Sequence, residues 1–359
     1  MTKFLKSVVY LALVVSVLGC KEEKKPKEIQ QQVKDTVITQ VASFKGQQVT
    51  GLTVSQRGRV FANFPRWREH VTNSVVEVLA DGTSVPYPNT SWNAWKVGEK
   101  VKDSMFVAVQ SVVADQDYLY VLDTRNALWK GVIDAPRMFV FSLQTNQLID
   151  ILMLDDKAYK SNSYTNDLRI DHKHNCIYIT DSNEGAIIVY NITDRSSRRV
   201  LDNHISTQGE TSTLTINGDT WGNKPVHSDG IALHPTNGRL YYHSLTGYTL
   251  YSVATEELAK GTEQSIAASV IEEGKTGAPD GMIFDAKGNL YLADLEQNAI
   301  TYLTPSKEMK TLVSGNQVRW ADTFSIYDGY LYYTNSRINE VQKDISDMLF
   351  TINKVALPE

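Results

Sequence analysis

The sequence predicts an all-β protein, a six-bladed β-propeller with four-stranded antiparallel blades. From about Val49 onward, short apolar segments alternate with turn residues, and long amphipathic helical patterns are scarce. An apolar residue followed by an aromatic one opens a strand six times, at an average spacing of about 54 residues, which fits one blade with its loops. These dipeptides are Val60-Phe61, Leu119-Tyr120, Ile177-Tyr178, Leu240-Tyr241, Leu290-Tyr291 and Leu331-Tyr332.

Each copy of the repeat has similar surroundings. An apolar segment and a tight turn with Asp, Asn or Gly precede the dipeptide, and a polar turn follows it. A meander of this size cannot bury both of its faces alone, so neighbouring sheets must stack. Closing six of them in a ring removes the open ends of the stack. An unrelated β-sandwich is the alternative, and six copies with matching turns argue against it.

The composition sets limits on the partners. The chain has 359 residues, 42% of them hydrophobic, which is enough for a sizeable core. The formal net charge is -5, so the chain has no basic field that would favour nucleic acid, and none is expected as a partner.

The N-terminus predicts export and a lipid anchor. Residues 1–20 combine Lys3 and Lys6 with an apolar run and end in "VLGC", which resembles the bacterial lipobox with Cys20 as the lipidated residue. The alternative is an ordinary signal peptide that happens to end at a cysteine. Residues 21–45 are rich in Lys and Glu and are interpreted as a flexible tether, and residues 46–359 as the propeller. The expected location is the bacterial cell envelope, on the extracytoplasmic side of a membrane. Cys176, the other cysteine, is expected to be a buried thiol.

Polar residues mark the start of the innermost strand of each blade. Counting back 10 to 12 positions from each repeated aromatic residue reaches a side chain that carries oxygen in all six blades: Thr50, Gln110, Asn166, Asp229, Asp280 and Asp322. A closed ring brings these positions to one channel mouth. Three converging aspartates repel one another unless a cation is present, and carboxylate and amide oxygens suit Ca²⁺, with Mg²⁺ or Mn²⁺ as alternatives. We therefore expect a divalent cation at Asn166, Asp229, Asp280 and Asp322, and ligand contacts from Thr50 and Gln110. The alternative is that the aspartates cap turns without a metal.

Tryptophans between the blades suggest a place for an organic ligand. Trp67, Trp221 and Trp320 lie in or beside long inter-blade segments, and aromatic faces next to carboxylates hold organic cations well. The alternative for each tryptophan is packing between blades.

Several phrases resemble the major royal jelly protein and insect Yellow family in its bacterial, dopachrome tautomerase-related branch. They are "PRMFVFSLQTNQLIDIL", "IYITDSNEGAIIVYNI", "SDGIALHPTNGRLYYHSLTGYTLYSV" and "RWADTFSIYDGYLYYTNSRI". The resemblance implies a six-bladed propeller and secretion. It also implies, as in some insect members, binding of small aromatic amines or a dopachrome-converting activity.

A more distant resemblance links "TNDLRIDHKHN", "HSDGIALHPTNG" and "APDGMIFDAKGN" to the regucalcin and gluconolactonase propellers. It matches Asn166, Asp229 and Asp280 to three metal-binding positions of that family, whose first-blade glutamate has no counterpart here. It implies metal-assisted lactone hydrolysis with Asp280 as the proton acceptor. His227, which directly precedes Ser228-Asp229, is a second candidate catalytic residue.

Three functions remain open at this point. The first is a membrane-anchored monomer that binds a small aromatic ligand, with isomerase activity as an extension. The second is a metal-dependent lactonase or esterase. The third is an interaction module without chemistry, since propellers serve many functions.

Overall fold

A computed structural model describes residues 37–358. The predicted signal peptide, Cys20 and residues 21–36 of the predicted tether lie outside this range. Within it, the chain forms six four-stranded antiparallel sheets and one separate hairpin, so the predicted six-bladed propeller is confirmed. No helix of residues 37–358 combines the length and apolar character needed to cross a bilayer.

The strands follow the chain from the innermost to the outermost position of each blade. The first strand, β1, is Ile38–Lys45. Blade 1 contains β2 (Gly51–Val54), β3 (Val60–Asn63), β4 (Val75–Val78) and β5 (Ser84–Pro86). Blade 2 contains β6 (Val109–Asp115), β7 (Tyr118–Asp123), β8 (Arg137–Ser142) and β9 (Leu148–Met153). Blade 3 contains β10 (Thr165–Asp171), β11 (Cys176–Asp181), β12 (Ala186–Asn191) and β13 (Ser196–Val200).

The second half of the chain completes the ring. A hairpin of β14 (Leu214–Ile216) and β15 (Asp219–Trp221) precedes blade 4. Blade 4 contains β16 (Ser228–Leu233), β17 (Arg239–Ser244), β18 (Thr249–Ala254) and β19 (Ile271–Lys275), with α1 (Thr255–Lys260) and α2 (Glu263–Ala268) between its last two strands. Blade 5 contains β20 (Pro279–Phe284), β21 (Leu290–Asp294), β22 (Ala299–Leu303) and β23 (Met309–Ser314). Blade 6 contains β24 (Phe324–Tyr327), β25 (Tyr330–Asn335), β26 (Leu349–Ala356) and β1.

Strand β1 closes the ring by becoming the outermost strand of blade 6. It pairs antiparallel with β26, from Ile38 opposite Val355 to Lys45 opposite Leu349. The propeller therefore begins at Ile38, and the last eight residues assigned to the tether from the sequence belong to the folded body. The innermost strands contact one another in the order β2, β6, β10, β16, β20 and β24, and β24 contacts β2 again.

The repeated aromatic residues hold equivalent positions in the six blades. Each lies on the second strand and pairs with one residue of the innermost strand, as in Phe61 opposite Thr53 and Tyr178 opposite Arg169. Five of the six aromatic side chains are buried, and Tyr241 is half-buried. Most of the core lies between adjacent blades, where apolar residues from two sheets form common clusters. Cys176 is buried in the cluster between blades 3 and 4.

Candidate functional site at the channel mouth

Irregular pairing of the innermost strands places the polar side chains at the mouth. In blades 2 to 5 the register of the first strand pair shifts just after the strand begins. The shifts span Gln110, Asn166, Asp229 and Asp280, four of the six residues that the sequence predicted for this ring. An irregularity of this kind unpairs a residue and re-aims its side chain. Blades 1 and 6 show no such shift, and Asp322 reaches the mouth from the segment just before β24.

The glycines that follow two of the aspartates allow the innermost strands to approach closely. A Cβ atom at Gly230 would lie 2.6 Å from the carbonyl oxygen of Asp280, and one at Gly281 would lie 2.9 Å from that of Asp322. Neither distance is compatible with a side chain. The repeated Asp-Gly phrase therefore combines a polar group for the channel with a residue small enough to pack against the next blade.

Two pockets meet at the polar residues. The upper cavity, with a volume of about 510 Å³, is lined by Trp67, Trp129, Tyr164, Trp221 and Trp320, by polar side chains that include the cationic Arg68 and Lys224, and by a few aliphatic residues. Beneath it lies a narrow pocket of about 10 Å³, roughly the space of one water molecule, lined only by polar residues and glycine. Five side chains line both pockets: Gln110, Asn166, Asp229, Asp280 and Asp322.

A chain of hydrogen bonds connects an indole of the cavity wall to a carboxylate of the floor. Trp67 donates its N–H to the Tyr164 hydroxyl, which donates to Oε1 of Gln110 over 2.7 Å. The amide group of Gln110 donates to Oδ1 of Asn166 over 2.6 Å, and the amide of Asn166 donates to Oδ1 of Asp229. All these donors point toward the carboxylate, so successive bonds polarise one another in the same direction.

The floor of the cavity is acidic, and Asp229 and Asp280 are buried there. Burial, and then the charge of Asp167, raise the pKa of Asp229 to about 8, although a hydrogen bond from Asn166 partly offsets them. Burial, and then the charges of Asp322 and Asp229, raise the pKa of Asp280 well above its ordinary value. Burial, and then the charges of Asp229 and Asp167, do the same for Asp322. Carboxylates in such a place either keep a proton or take a cation as their partner.

Aromatic rings form two walls above this floor. On one side, Trp129 stacks on Tyr164 with ring centroids 3.8 Å apart, and Trp67 lies 6.0 Å from Trp129. On the other side, Trp221 meets Trp320 edge to face at 4.6 Å. Trp67, Trp221 and Trp320 were predicted from the sequence as ligand contacts, and the structure brings all three to the same cavity.

Trp129 and Tyr164 are wall residues that the sequence analysis missed. Leu128 and Trp129 both adopt left-handed backbone conformations, with φ of 60° and 56°, and Trp320 does the same with φ of 60°. Such conformations cost bulky residues free energy and cluster at functional sites. Side chains of this size give no sign in the sequence of a left-handed backbone, because glycine and asparagine are its usual occupants.

Two other predicted site residues lie away from the cavity. Thr50 is fully buried, and its side-chain oxygen accepts a hydrogen bond from the amide of Asn63 over 3.4 Å. His227 accepts a hydrogen bond from the backbone N–H of Gly209 at its Nδ1, over 3.1 Å. Burial lowers the pKa of His227, and neither residue lines the upper cavity or the narrow pocket.

The residues of the narrow pocket fit a hard divalent cation in chemistry and in size. Carboxylate and amide oxygens from blades 3 to 6 surround a space for one small occupant. They do not form a ready-made cage, because across residues 37–358 no three Asp, Glu, His or Cys side chains are grouped for metal binding. Two of the carboxylates already have hydrogen-bond partners. Asp229 accepts a hydrogen bond from the amide of Asn166, and Asp280 accepts one from the Trp320 indole over 2.6 Å.

Comparison with known proteins identifies related sequences. A sequence model of the family described as "Major royal jelly protein" matches residues 107–356. Major royal jelly protein 8 of Apis mellifera is 24% identical over 306 residues, which are 74% of this chain and 71% of that protein. Major royal jelly protein 5 of the same species is 26% identical over 224 residues, 57% of this chain and 35% of that protein. The chain thus spans little more than a third of the length of some curated relatives.

Solved structures with the same architecture are more distant in sequence. A gluconolactonase from Xanthomonas campestris superposes with a TM-score of 0.55 at 12% identity, over 91% of both chains. Regucalcin from Agrobacterium tumefaciens, described as a calcium-binding protein, gives a TM-score of 0.51 at 13% identity, over 90% of this chain and 96% of its own. At these identities the likeness shows the fold alone.

Proposed function

Because this chain belongs to the major royal jelly protein family, we propose that it binds a small aromatic molecule with a positive charge in the upper cavity. One observation carries the proposal: aromatic rings stand on both sides of a cavity whose floor consists of buried carboxylates. Cations are attracted to aromatic faces, the more so when water is excluded. An ammonium group lying above Asp229, Asp280 and Asp322 would also replace the protons that these carboxylates otherwise keep.

The cavity has a size and a lining that suit such a ligand. Its volume of about 510 Å³ lies within the range of small-molecule sites, and five aromatic side chains line it. An aromatic ring would lie between the wall of Trp129 and Tyr164 and the wall of Trp221 and Trp320. Gln110 would add a polar contact at the floor.

A divalent cation in the narrow pocket is a second part of the proposal. Asn166, Asp229, Asp280 and Asp322 would hold it, with Ca²⁺ as the preferred ion and Mg²⁺ or Mn²⁺ as alternatives. The oxygen-rich lining and the one-water size of the pocket support it. When bound, such an ion would polarise a substrate oxygen, while Asp280 would accept or hold a proton at its carboxylate.

Two catalytic activities extend this proposal. Dopachrome-type isomerisation needs a proton acceptor beside an aromatic substrate, and Asp280 beneath the tryptophans is suited to that role. Lactone hydrolysis is the alternative, favoured by the joint position of Asn166, Asp229 and Asp280 around one pocket. Turnover of aldonolactones that stops with EDTA and returns with Ca²⁺ or Mn²⁺ would support the lactonase, whereas conversion of dopachrome would support the isomerase.

We also propose that the protein acts at the cell envelope as a lipid-anchored monomer. The apolar run and the "VLGC" sequence ending at Cys20 support export and acylation. Cys20→Ser in the full-length chain should move the protein from the membrane fraction to the soluble extracytoplasmic fraction. Unchanged membrane association would contradict the anchor, and light scattering of the mature protein tests the monomer.

Ligand binding is tested with dopamine as the probe. Titration of the mature protein should quench tryptophan fluorescence to saturation, and Asp280→Asn should weaken binding by about tenfold through loss of one carboxylate. Asp219→Asn, an exposed position on β15, serves as the matched control and should bind as the wild type does. Absence of saturable quenching, of Ca²⁺ binding and of turnover would leave an interaction module without small-molecule chemistry.

A further inference from the structure

Arg169 is an exception among six equivalent positions. The residues of the innermost strands that pair with the repeated aromatic residues are Thr53, Val113, Arg169, Ala232, Ile283 and Ser325. The other five are uncharged. A charged side chain at one position of an otherwise neutral layer, directly below an acidic site, calls for a specific role.

The side chain of Arg169 reaches from blade 3 to blade 5, past the blade between them. Its Nη1 donates to the carbonyl oxygen of Leu168 over 2.6 Å, and its Nη2 donates to that of Met282, on β20, over 2.9 Å. Arg169 lines the lower cavity, a space of about 490 Å³ on the opposite side of the narrow pocket, together with residues of all six innermost strands. It does not line the narrow pocket itself.

The same guanidinium pairs with a fourth carboxylate of the channel. Nη1 of Arg169 lies 2.9 Å from Oδ2 of Asp167, and the Ser111 hydroxyl donates to the other carboxylate oxygen over 2.8 Å. Asp167 lines the narrow pocket together with Asp229, Asp280 and Asp322. Arg169 and Ser111 therefore engage both oxygens of Asp167, although its negative charge still raises the pKa values of Asp229 and Asp322.

We propose that Arg169 determines the charge and the selectivity of the cation site, by neutralising Asp167 and by bridging the channel beneath the narrow pocket. Arg169 keeps Asp167 from acting as a fourth ligand, so the site has three carboxylates available. Three carboxylates suit an ammonium group or a weakly held Ca²⁺, whereas a fourth favours a tightly bound divalent ion. This inference rests on the proposed cation binding and adds the residue that sets its strength.

A double-mutant cycle measures the effect with Ca²⁺ as the probe, by calorimetry of the mature protein at pH 8. Arg169→Met should raise the Ca²⁺ affinity about tenfold, because Asp167 loses its counter-ion. Asp167→Asn alone should lower it by no more than about threefold, since Arg169 already keeps that carboxylate from the ion. The double variant should return to within about threefold of the wild type, and Arg169→Lys, which keeps the charge, should resemble the wild type.

Other outcomes would overturn the inference. If Arg169 only held the blades together, Arg169→Met and the double variant would bind Ca²⁺ alike, and Arg169→Lys would behave like Arg169→Met. The exposed pair of Arg195 and Asp150 provides the control, because Arg195→Met removes an equivalent charge far from the channel and should leave the affinity unchanged.

A second measurement separates this inference from the proposed function. Urea unfolding in EDTA at pH 8 should show that Arg169→Met is destabilised and that adding Asp167→Asn restores part of the loss. If neither the wild type nor any variant bound Ca²⁺, the divalent part of the proposed function would fail, while this restoration would still support the neutralising role of Arg169. Absence of restoration would refute that role, whatever the binding data showed.

Discussion

Trp320 donates its indole N–H to Oδ2 of Asp280 over 2.6 Å, and this bond joins the aromatic wall of the upper cavity to its acidic floor. Both side chains are buried, so water cannot replace the bond if it is lost. The left-handed backbone of Trp320 shows that the surrounding structure maintains a costly conformation at this point. The pair therefore couples the shape of the cavity to the ionisation of its floor.

We expect Trp320→Phe to weaken both folding and ligand binding. The hydrogen bond from Trp320 lowers the pKa of Asp280 against the effect of burial, so its removal should raise that pKa further. Urea unfolding should show a loss of about 2 kcal/mol, and dopamine affinity at pH 7 should fall about fivefold. Trp221→Phe is the control, because Trp221 packs edge to face against the Trp320 ring but donates no hydrogen bond to Asp280. Equal losses in both variants would assign the effect to packing alone.

Asp229 should make stability depend on pH when no cation is bound. Its pKa is raised from an ordinary value of 3.8 to about 8, so the folded state holds this proton more tightly than the unfolded state. The resulting stabilisation is complete below about pH 4 and is lost as the pH rises through 8. Unfolding free energies in EDTA should therefore fall between pH 5.5 and 8.5, by about 1.4 kcal/mol for each unit of the pKa difference crossed.

Asp229→Asn should reduce this dependence, because asparagine keeps the acceptor for Asn166 and has no proton to lose, while Asp280 and Asp322 still contribute through their raised pKa values. Saturating dopamine or Ca²⁺ should flatten it in the wild type as well, since a bound cation stabilises the ionised carboxylates. The same slope in Asp229→Asn as in the wild type would show that other groups cause the dependence.

The blades and most of the site can be predicted from the sequence because they depend on local patterns. The repeated dipeptide marks a buried strand whose pairing with the innermost strand is the same in each blade, so counting back from it reaches Gln110, Asn166, Asp229, Asp280 and Asp322. The same count fails for Thr50, whose side chain is fully buried beside Asn63 and does not line the cavity.

The rest depends on contacts between distant parts of the chain. Strand β1 has no repeat signature of its own, and its place in blade 6 depends on pairing with β26, about three hundred residues away. Arg169 looks like an ordinary strand residue until closure of the ring brings Met282 within reach of it. Trp129 takes its place on Tyr164 through a left-handed backbone that its residue type does not favour.

Alanine at Gly230 or Gly281 should disturb the floor of the cavity. The added Cβ atom would lie within 3 Å of a backbone carbonyl of the next blade, so the innermost strands would have to separate. We expect each substitution to cost about 1–3 kcal/mol in urea unfolding and to reduce dopamine affinity. Gly315→Ala shows the cost of backbone strain alone, because Gly315 has a positive φ and no atom within 4 Å of the added methyl group, whereas Gly230 and Gly281 have the close contact without a positive φ. Wild-type stability and dopamine affinity in the Gly230 and Gly281 variants would mean that strand spacing is not critical.

Trp129→Ala should separate ligand binding from stability. Trp129 is 49% exposed, so its removal should change the unfolding free energy by less than about 1 kcal/mol, although it forms one wall of the cavity with Tyr164. Loss of one cation–π partner should weaken dopamine binding about three- to tenfold. Ile133→Ala, an exposed apolar position in the same loop, is the matched control and should bind normally. Tighter binding by Trp129→Ala would instead mean that the indole occupies the place of the ligand ring on Tyr164.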